Sequence, residues 1–375
     1  MDTGVYCGEE DAMDLSRRDL ARLFGAAAVS SALPPLLAQP APRSSGAGVR
    51  LSANENPYGP SASAMAAMRD ALVDACRYPD EATDALTNTI ARLHNVSADQ
   101  VILGDGSSEI LKLAAATFTG PLRPVVVADP TFEAIAAYGR AAGAETVKVP
   151  LTPSFEHDLA KMAAVKNAGA IYVCNPNNPT ASITNKQSVR SFLDAVPSDT
   201  VVLVDEAYFH FVDAPQYETV IPLVAVRPNL VVARTFSKIY AMAGIRCGYA
   251  IGPVSLMRRM KVQKAWDSMN AVALAGAHAS LMDTNHVAIG RKRNADTRQQ
   301  TVNTLTRLGY EVIPSYANFF MVDIRQPVKP VITALRDLGV HVGRLFPTMP
   351  NYLRVTVGKP DEMQTFVAAF RSVMV

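Results

Sequence analysis

The chain has 375 residues, enough for one large domain and a smaller companion, and 49% of them are hydrophobic. A formal net charge of +2 argues against the strongly basic surface of a nucleic-acid binder, and no apolar run after Gly48 is long enough to span a bilayer. Four scattered cysteines without a C-x-x-C pair, and six histidines without ligand spacing, predict neither disulfides nor a metal site.

In chain order, Ser16-Arg17-Arg18-Asp19-Leu20-Ala21-Arg22 precedes a small-residue apolar run from Leu23 to Leu33, then Pro34-Pro35 and a Pro/Ser/Gly-rich stretch to Gly48. This leader, residues 1–48, looks like a twin-arginine export signal and predicts a periplasmic or exported protein, with a cytoplasmic one as the alternative. Asp2, Glu9, Glu10 and Asp11 sit oddly in a basic leader, and translation from Met13 would remove them. Residues 49–80 read as an arm, Leu51-Ser52-Ala53-Asn54-Glu55-Asn56-Pro57-Tyr58-Gly59-Pro60, followed by a helix from Ala64 to Cys76 and then Arg77-Tyr78-Pro79-Asp80.

Residues 81–265 alternate strand and helix, the pattern of a mostly parallel sheet covered on both faces. The apolar strand candidates are Val101 to Leu103, Val125 to Ala128, Thr146 to Val149, Ile171 to Cys174, Val201 to Val204, Val231 to Ala233 and Gly248 to Ile251. Polar residues follow most of them, where open α/β sheets bind ligands. Gly104-Asp105-Gly106-Ser107-Ser108-Glu109 is a glycine turn running into a helix, whose free N–H groups suit a phosphate. Glu109 replaces the third glycine of a dinucleotide fingerprint, which therefore fails. Asp129-Pro130-Thr131-Phe132 presents an aromatic ring at the next strand end. Cys174-Asn175-Pro176-Asn177-Asn178-Pro179-Thr180-Ala181 is too rich in Pro and Asn to continue a strand. Val204-Asp205-Glu206-Ala207-Tyr208 places a carboxylate just beyond a buried strand, where it needs a partner.

The chain is organised around Arg234-Thr235-Phe236-Ser237-Lys238, which ends the strand begun at Leu230, and Gly244-Ile245-Arg246-Cys247-Gly248 beyond it. In isolation the lysine would be an ordinary solvated one on a turn. At a strand end it can form a Schiff base with an aldehyde cofactor, while Thr235, Ser237 and Arg246 can hold a phosphate through two hydroxyls and a guanidinium. A phosphorylated aldehyde would use all four. Residues 266–375 read as a smaller α+β domain: a long polar helix from Asn285 to Leu308, and strands at Tyr310 to Ile313, Phe319 to Asp323, Val340 to Val342 and Tyr352 to Val357. Arg354, on an apolar strand, asks for an anion, and Arg344 could bind substrate or a structural carboxylate.

These segments together resemble the class I/II aminotransferases, pyridoxal 5'-phosphate (PLP) enzymes of fold type I. The likeness is closest to the histidinol-phosphate and aromatic aminotransferase branch, whose R-T-x-S-K-x-x-x-[LM]-A-G-[LI]-R-x-G is met from Arg234 to Gly248. The arm, the R-Y-P-D, the N-P-N-N-P-T, the D-E-A-Y, the S-Y-A-N-F and the L-R-V-T-V-G segments are similar to that branch in the same order. The resemblance implies a seven-stranded large domain, Lys238 bound to the cofactor, Asp205 on its ring nitrogen, and Asn178 and Tyr208 on its phenolic oxygen. It also implies Phe132 stacked on the ring and Gly106, Ser107, Ser108, Thr235, Ser237 and Arg246 around the phosphate, with Tyr78 reaching the phosphate of a partner subunit in a homodimer. Tyr58, Asn178, Arg344 and Arg354 become substrate contacts. Ala181 departs from the family's glycine; if that backbone needs a positive φ, alanine there is strained by about 1 kcal/mol.

The implied reaction is ping-pong transfer of an amino group between an amino substrate, histidinol-phosphate-like or aromatic, and a 2-oxo acid such as 2-oxoglutarate. Two alternatives share much of this pattern. One is a PLP decarboxylase of the threonine-phosphate type; the other is a non-catalytic aminotransferase-like sensor domain, which would carry a DNA-binding helix-turn-helix ahead of it.

Overall fold

The structure is a computed structural model that describes residues 48–374. The twin-arginine reading rests on residues outside that range. Twelve strands are described. The first three are β1 Val49–Leu51, β2 Val101–Gly104 and β3 Val125–Asp129, followed by β4 Thr146–Pro150, β5 Ala170–Cys174, β6 Val201–Asp205 and β7 Leu230–Thr235. After β8 Gly248–Ile251 come β9 Glu311–Val312, β10 Phe319–Asp323, β11 Val340–Val342 and β12 Tyr352–Thr356.

All seven strands expected in the large domain form one sheet, in the order β2-β8-β7-β6-β5-β3-β4. β3, β4, β5, β6 and β7 pair in parallel, and β8 runs antiparallel to both β7 and β2. Burial on both faces explains why these strands are continuous apolar runs rather than alternating ones. Their side chains feed two cores: Val126, Ile171, Val173, Val202, Val204 and Val232 on one face, and Val125, Val127, Tyr172, Leu203, Val231 and Ala233 on the other. The carboxyl ends of β2, β3, β5, β6 and β7 share one edge. The chain leaves β3 outward to β4 and returns to add β5, β6 and β7 on the other side, so a crevice opens at this reversal of strand order.

The remaining strands build two small sheets, β12-β10-β9 and β1-β11. β1 belongs to the N-terminal arm, yet it pairs in parallel with β11, and Leu51 packs into a core with Leu305, Phe320, Val355, Phe366 and Phe370. The arm is therefore tied down at its start, and Ser52 to Asn56 are carried across the edge of the large sheet. The helix expected from Ala64 to Cys76 is shorter. It spans Ala62–Asp70, capped by the Ser61 side chain, and tightens into a 3-10 turn at Ala71–Asp74 before Pro79.

Candidate active site

The strand ends enclose a cavity of about 270 Å³. Its lining includes Ser107, Ser108, Phe132, Asn178, Asp205, Tyr208, Thr235, Ser237, Lys238, Arg246, Arg344 and Arg354, twelve of the residues singled out in the sequence. Gly106 adjoins it. Tyr58 and Tyr78 do not line it. Tyr58 lies between the cations of Arg293 and Lys359, whose charged groups are 5.1 and 6.0 Å from its ring centre, and Tyr78 is 77% exposed.

One end of the cavity is a cup of donors. The helix Ser107–Phe118 begins after Gly106 without a side-chain cap, leaving its first N–H groups for a ligand. Two glycines make the cup possible. A Cβ on Gly106, which has φ +73°, would sit 2.1 Å from the Arg246 guanidinium, and one on Gly248 would sit 2.4 Å from the Ser107 nitrogen. Arg246 donates to the Ala243 carbonyl at 2.9 Å and reaches the Ser237 hydroxyl and the Asp105 carbonyl at 3.5 and 3.4 Å, but among the described residues it meets no carboxylate. The Thr235 hydroxyl donates to that of Ser237 at 2.9 Å and accepts from the Ser237 backbone at 3.1 Å. Two hydroxyls, free helix amides and a guanidinium without a counter-ion suit a phosphate.

At the floor, Lys238 sits on a loop pinned from below. Phe236 donates its N–H to the Cys247 carbonyl at 3.0 Å, and the Ile239 carbonyl accepts from Asn56 Nδ2 at 2.9 Å. Lys238 Nζ donates to the Asn54 carbonyl at 3.1 Å. Burial and the nearby Arg354 lower its pKa to about 8, so about a tenth of the amine is neutral at pH 7, far more than for an ordinary lysine. Asp205 is buried at the end of β6. Its Oδ2 accepts from the Tyr172 hydroxyl at 2.8 Å and its Oδ1 from the Ala207 N–H at 3.0 Å. Burial raises this carboxyl to about 6, against those two hydrogen bonds and the Lys238 charge, which pull it down. Tyr208 accepts from Asn54 Nδ2 at 3.2 Å, and burial pushes its phenol up.

Three arginines have different fates. Arg234 points away from the cavity, lies under the Phe209 ring at 3.6 Å and forms a buried pair with Glu206 at 2.7 Å. Glu206 also accepts from Thr219 and from the Val220 N–H, so it is a structural carboxylate of the core. Arg344 reaches Glu133 at 2.7 Å across the cavity mouth, taking the structural-carboxylate option in this state while still lining the cavity. Arg354 is buried, among the described residues, with no carboxylate: it donates to Asn178 Oδ1 at 2.8 Å and to the Ser52 carbonyl at 2.7 Å, and its Nε has no partner among them. Desolvation, with Arg344 adding to it, lowers its pKa. An anion would repair both defects.

Ala181 has φ +58° and is fully buried, so the strained backbone expected from its departure from glycine is present. Sequence reasoning passed over Asn54, Tyr172, Phe346 and Asn318. Asn54 has φ +54°, a conformation asparagine tolerates, and it joins Lys238, Tyr208 and Thr356. Asn318 Nδ2 holds the Asn54 carbonyl at 3.1 Å. Both asparagines stand in motifs whose neighbouring residues carry the stronger chemical signal.

A strand-end lysine facing a phosphate cup, with a buried carboxylate at the same floor, on a sheet of this order, defines a PLP enzyme of fold type I. The profile of the family described as Aminotransferase class I and II matches residues 47–370. Histidinol-phosphate aminotransferase from Moorella thermoacetica is 36% identical over 331 residues, covering 87% of this chain and 85% of that protein. The solved structure of histidinol-phosphate aminotransferase from Sinorhizobium meliloti in complex with pyridoxal-5'-phosphate superposes with a TM-score of 0.82 at 26% identity, covering 87% and 90% of the two chains. L-threonine-O-3-phosphate decarboxylase from Porphyromonas gingivalis shares the fold, with a TM-score of 0.77 at 22% identity over 86% and 98% of the two chains. The chain belongs to the class I and II aminotransferases, in the histidinol-phosphate aminotransferase branch; it is a PLP-dependent transaminase acting on an amino donor and a 2-oxo acid.

Proposed function

We propose that the protein carries out two half-reactions at one site, taking an amino group from a histidinol-phosphate-like or aromatic amino substrate and passing it to a 2-oxo acid such as 2-oxoglutarate. The observation that carries this is Lys238, an amine held at the floor between the phosphate cup and an arginine that lacks an acid partner. Bound PLP supplies an aldehyde that takes up the amino group and a ring that spreads the negative charge developing at the substrate Cα.

The chain's residues do the rest. Gly106, Ser107, Ser108, Thr235, Ser237 and Arg246 would hold the phosphate, Phe132 would cover the ring, Asn178 and Tyr208 would serve its phenolic oxygen, and Asp205 would serve its nitrogen. Lys238 would be the residue that carries the cofactor, and its amine is placed to hold or move the proton at the substrate Cα. Arg354 grips the substrate carboxylate with its two-pronged guanidinium. Arg344 meets the substrate tail after parting from Glu133.

The proposal extends to a homodimer in which Tyr78 serves the phosphate of the partner's site. Tyr78 is 77% exposed and lies outside its own subunit's cavity, which supports a role for it in a partner's site. Export through the twin-arginine route rests on the Ser16 to Leu33 segment alone. Borohydride reduction of the yellow holoenzyme followed by peptide mapping tests the site: the label falls on Lys238, and a label on another lysine overturns it. Glutamate converts the bound cofactor to its amine form and a 2-oxo acid restores it; stoichiometric CO2 without this cycling identifies a decarboxylase instead.

A further inference from the structure

We propose that Tyr172 is a positioning residue for this reaction: from β5 its hydroxyl holds the Asp205 carboxylate ionised and fixed in orientation for the ring nitrogen of PLP. The inference rests on the reading that Asp205 faces that nitrogen. Tyr172 is fully buried, and its ring belongs to the apolar cluster formed with Ile110, Leu111, Val127, Leu203 and Ala233. A phenylalanine would fill that space without a hydroxyl to desolvate, and a buried phenol needs a partner. The partner is Asp205 Oδ2 at 2.8 Å, reached because Cys174 of β5 lies opposite Asp205 of β6 and Tyr172 opposite Leu203.

With Oδ2 held by Tyr172 and Oδ1 by the Ala207 N–H, neither oxygen can swing away, and each retains a lone pair for a further donor. The charged and titratable groups around Asp205 come from three elements. Tyr172 and Cys174 lie on β5, Lys238 follows β7, and Glu206 and Tyr208 follow Asp205 itself, with Tyr217 beyond them. Among these, Tyr172 alone donates a side-chain hydrogen bond to the carboxylate. Burial drives Asp205 toward its neutral form, and the phenol opposes it.

The sign follows directly. Removing a donor to the charged form raises the proton affinity of Asp205, so the carboxylate is lost at higher pH as the solution is acidified. The experiment is the dissociation constant of PLP for the apoenzyme, measured by absorbance across the neutral and acid range. In the unaltered protein affinity falls on the acid side as Asp205 takes up its proton. In Tyr172→Phe that fall is expected about one to two pH units higher, the shift corresponding to one hydrogen bond to a charged group. A fluorinated tyrosine placed at position 172 keeps the hydroxyl, strengthens it as a donor, and is expected to move the fall the other way.

Coincident profiles for these proteins reduce Tyr172 to a core filler and overturn the proposal. If Tyr172→Phe does not fold, the fluorinated variant decides alone, since a profile that coincides with the unaltered one overturns the proposal equally well. Asp205→Asn separates the two readings. The PLP phosphate and Lys238 also titrate across this range and contribute equally in both proteins, so an acid fall of unchanged size and midpoint removes Asp205 from the ring nitrogen and the inference with it. A fall that shrinks in Asp205→Asn but does not move in the Tyr172 variants sinks the role of Tyr172 alone.

Discussion

The floor of the cavity and its rim use the same kinds of residues on opposite terms. Beneath the floor, Arg234 and Glu206 pair with their side chains 4% and 1% exposed, and Asp205 is held by Tyr172 and a backbone N–H. At the rim, Arg344 and Glu133 make an ion pair of the same 2.7 Å length with side chains 53% and 63% exposed. Breaking a buried pair strands a charge away from water, at a cost of about 3–5 kcal/mol, whereas an exposed pair contributes about 0–1 kcal/mol. The difference teaches which arginine is available. Arg234 is committed to the core, Arg344 can exchange partners at little cost, and Arg354, buried without a carboxylate partner among the described residues, is the one proposed to meet the substrate carboxylate.

The largest expected effect is at the floor. Lys238→Ala is expected to lower the glutamate half-reaction by about 10³-fold or more, since attachment and proton transfer are lost together; single-turnover absorbance measures it. Activity within about tenfold of normal would mean that another base does this work. In the unaltered apoenzyme, covalent attachment of PLP is expected to accelerate as pH rises toward the Lys238 value of about 8 and to level off above it, because only the neutral amine attacks. A rate flat from acid to alkaline pH would show that the amine is not the titrating group.

Next in size, Glu206→Gln is expected to destabilise the apoenzyme by about 3 kcal/mol in urea unfolding, by stranding Arg234. A loss below about 1 kcal/mol would erase the contrast between floor and rim. Arg354→Lys is expected to reduce kcat/KM for carboxylate substrates by about 10²-fold, because an ammonium cannot reproduce the fork, while PLP affinity stays near normal. Equal losses for substrates with and without a carboxylate would place Arg354 in a structural role.

The smallest effect belongs to the rim. Glu133→Gln is expected to change stability by less than about 1 kcal/mol and to lower KM for a phosphate-tailed amine by no more than about fivefold, since Arg344 no longer has to leave a carboxylate. Because removing any negative charge favours an anion, the informative measurement is the same change in an Arg344→Gln background. The gain is expected to disappear there, and a gain of equal size would mean that the pair does not gate the mouth.

The large domain was legible because its strands are buried on both faces, and burial of that kind writes itself into the chain as short apolar runs ending in polar motifs. Val101, Val125, Ala170, Val201, Leu230 and Gly248 therefore start strands at or within one residue of the runs that predicted them. The residues delivered at those ends, Asp205 and Lys238 among them, followed with the runs. The fate of Ala181 was legible as a condition, a strained alanine if the backbone turned left-handed, and φ +58° meets it.

What tertiary structure alone decided is who meets whom. Strand order, the pairing of β1 with β11, and the partners of the three arginines depend on segments brought together from far along the chain, and no local periodicity encodes them. Glu133 and Arg344 are 211 positions apart, Asn178 and Arg354 are 176 apart, and Lys238 and Asn54 are 184 apart. A sequence shows that a buried arginine or aspartate must have a partner, because an unpaired buried charge is costly. Which atom supplies it is settled only when strands and arm are packed, and for that reason Tyr172 reads in the sequence as one more apolar strand residue, while in the fold its hydroxyl lies on Asp205.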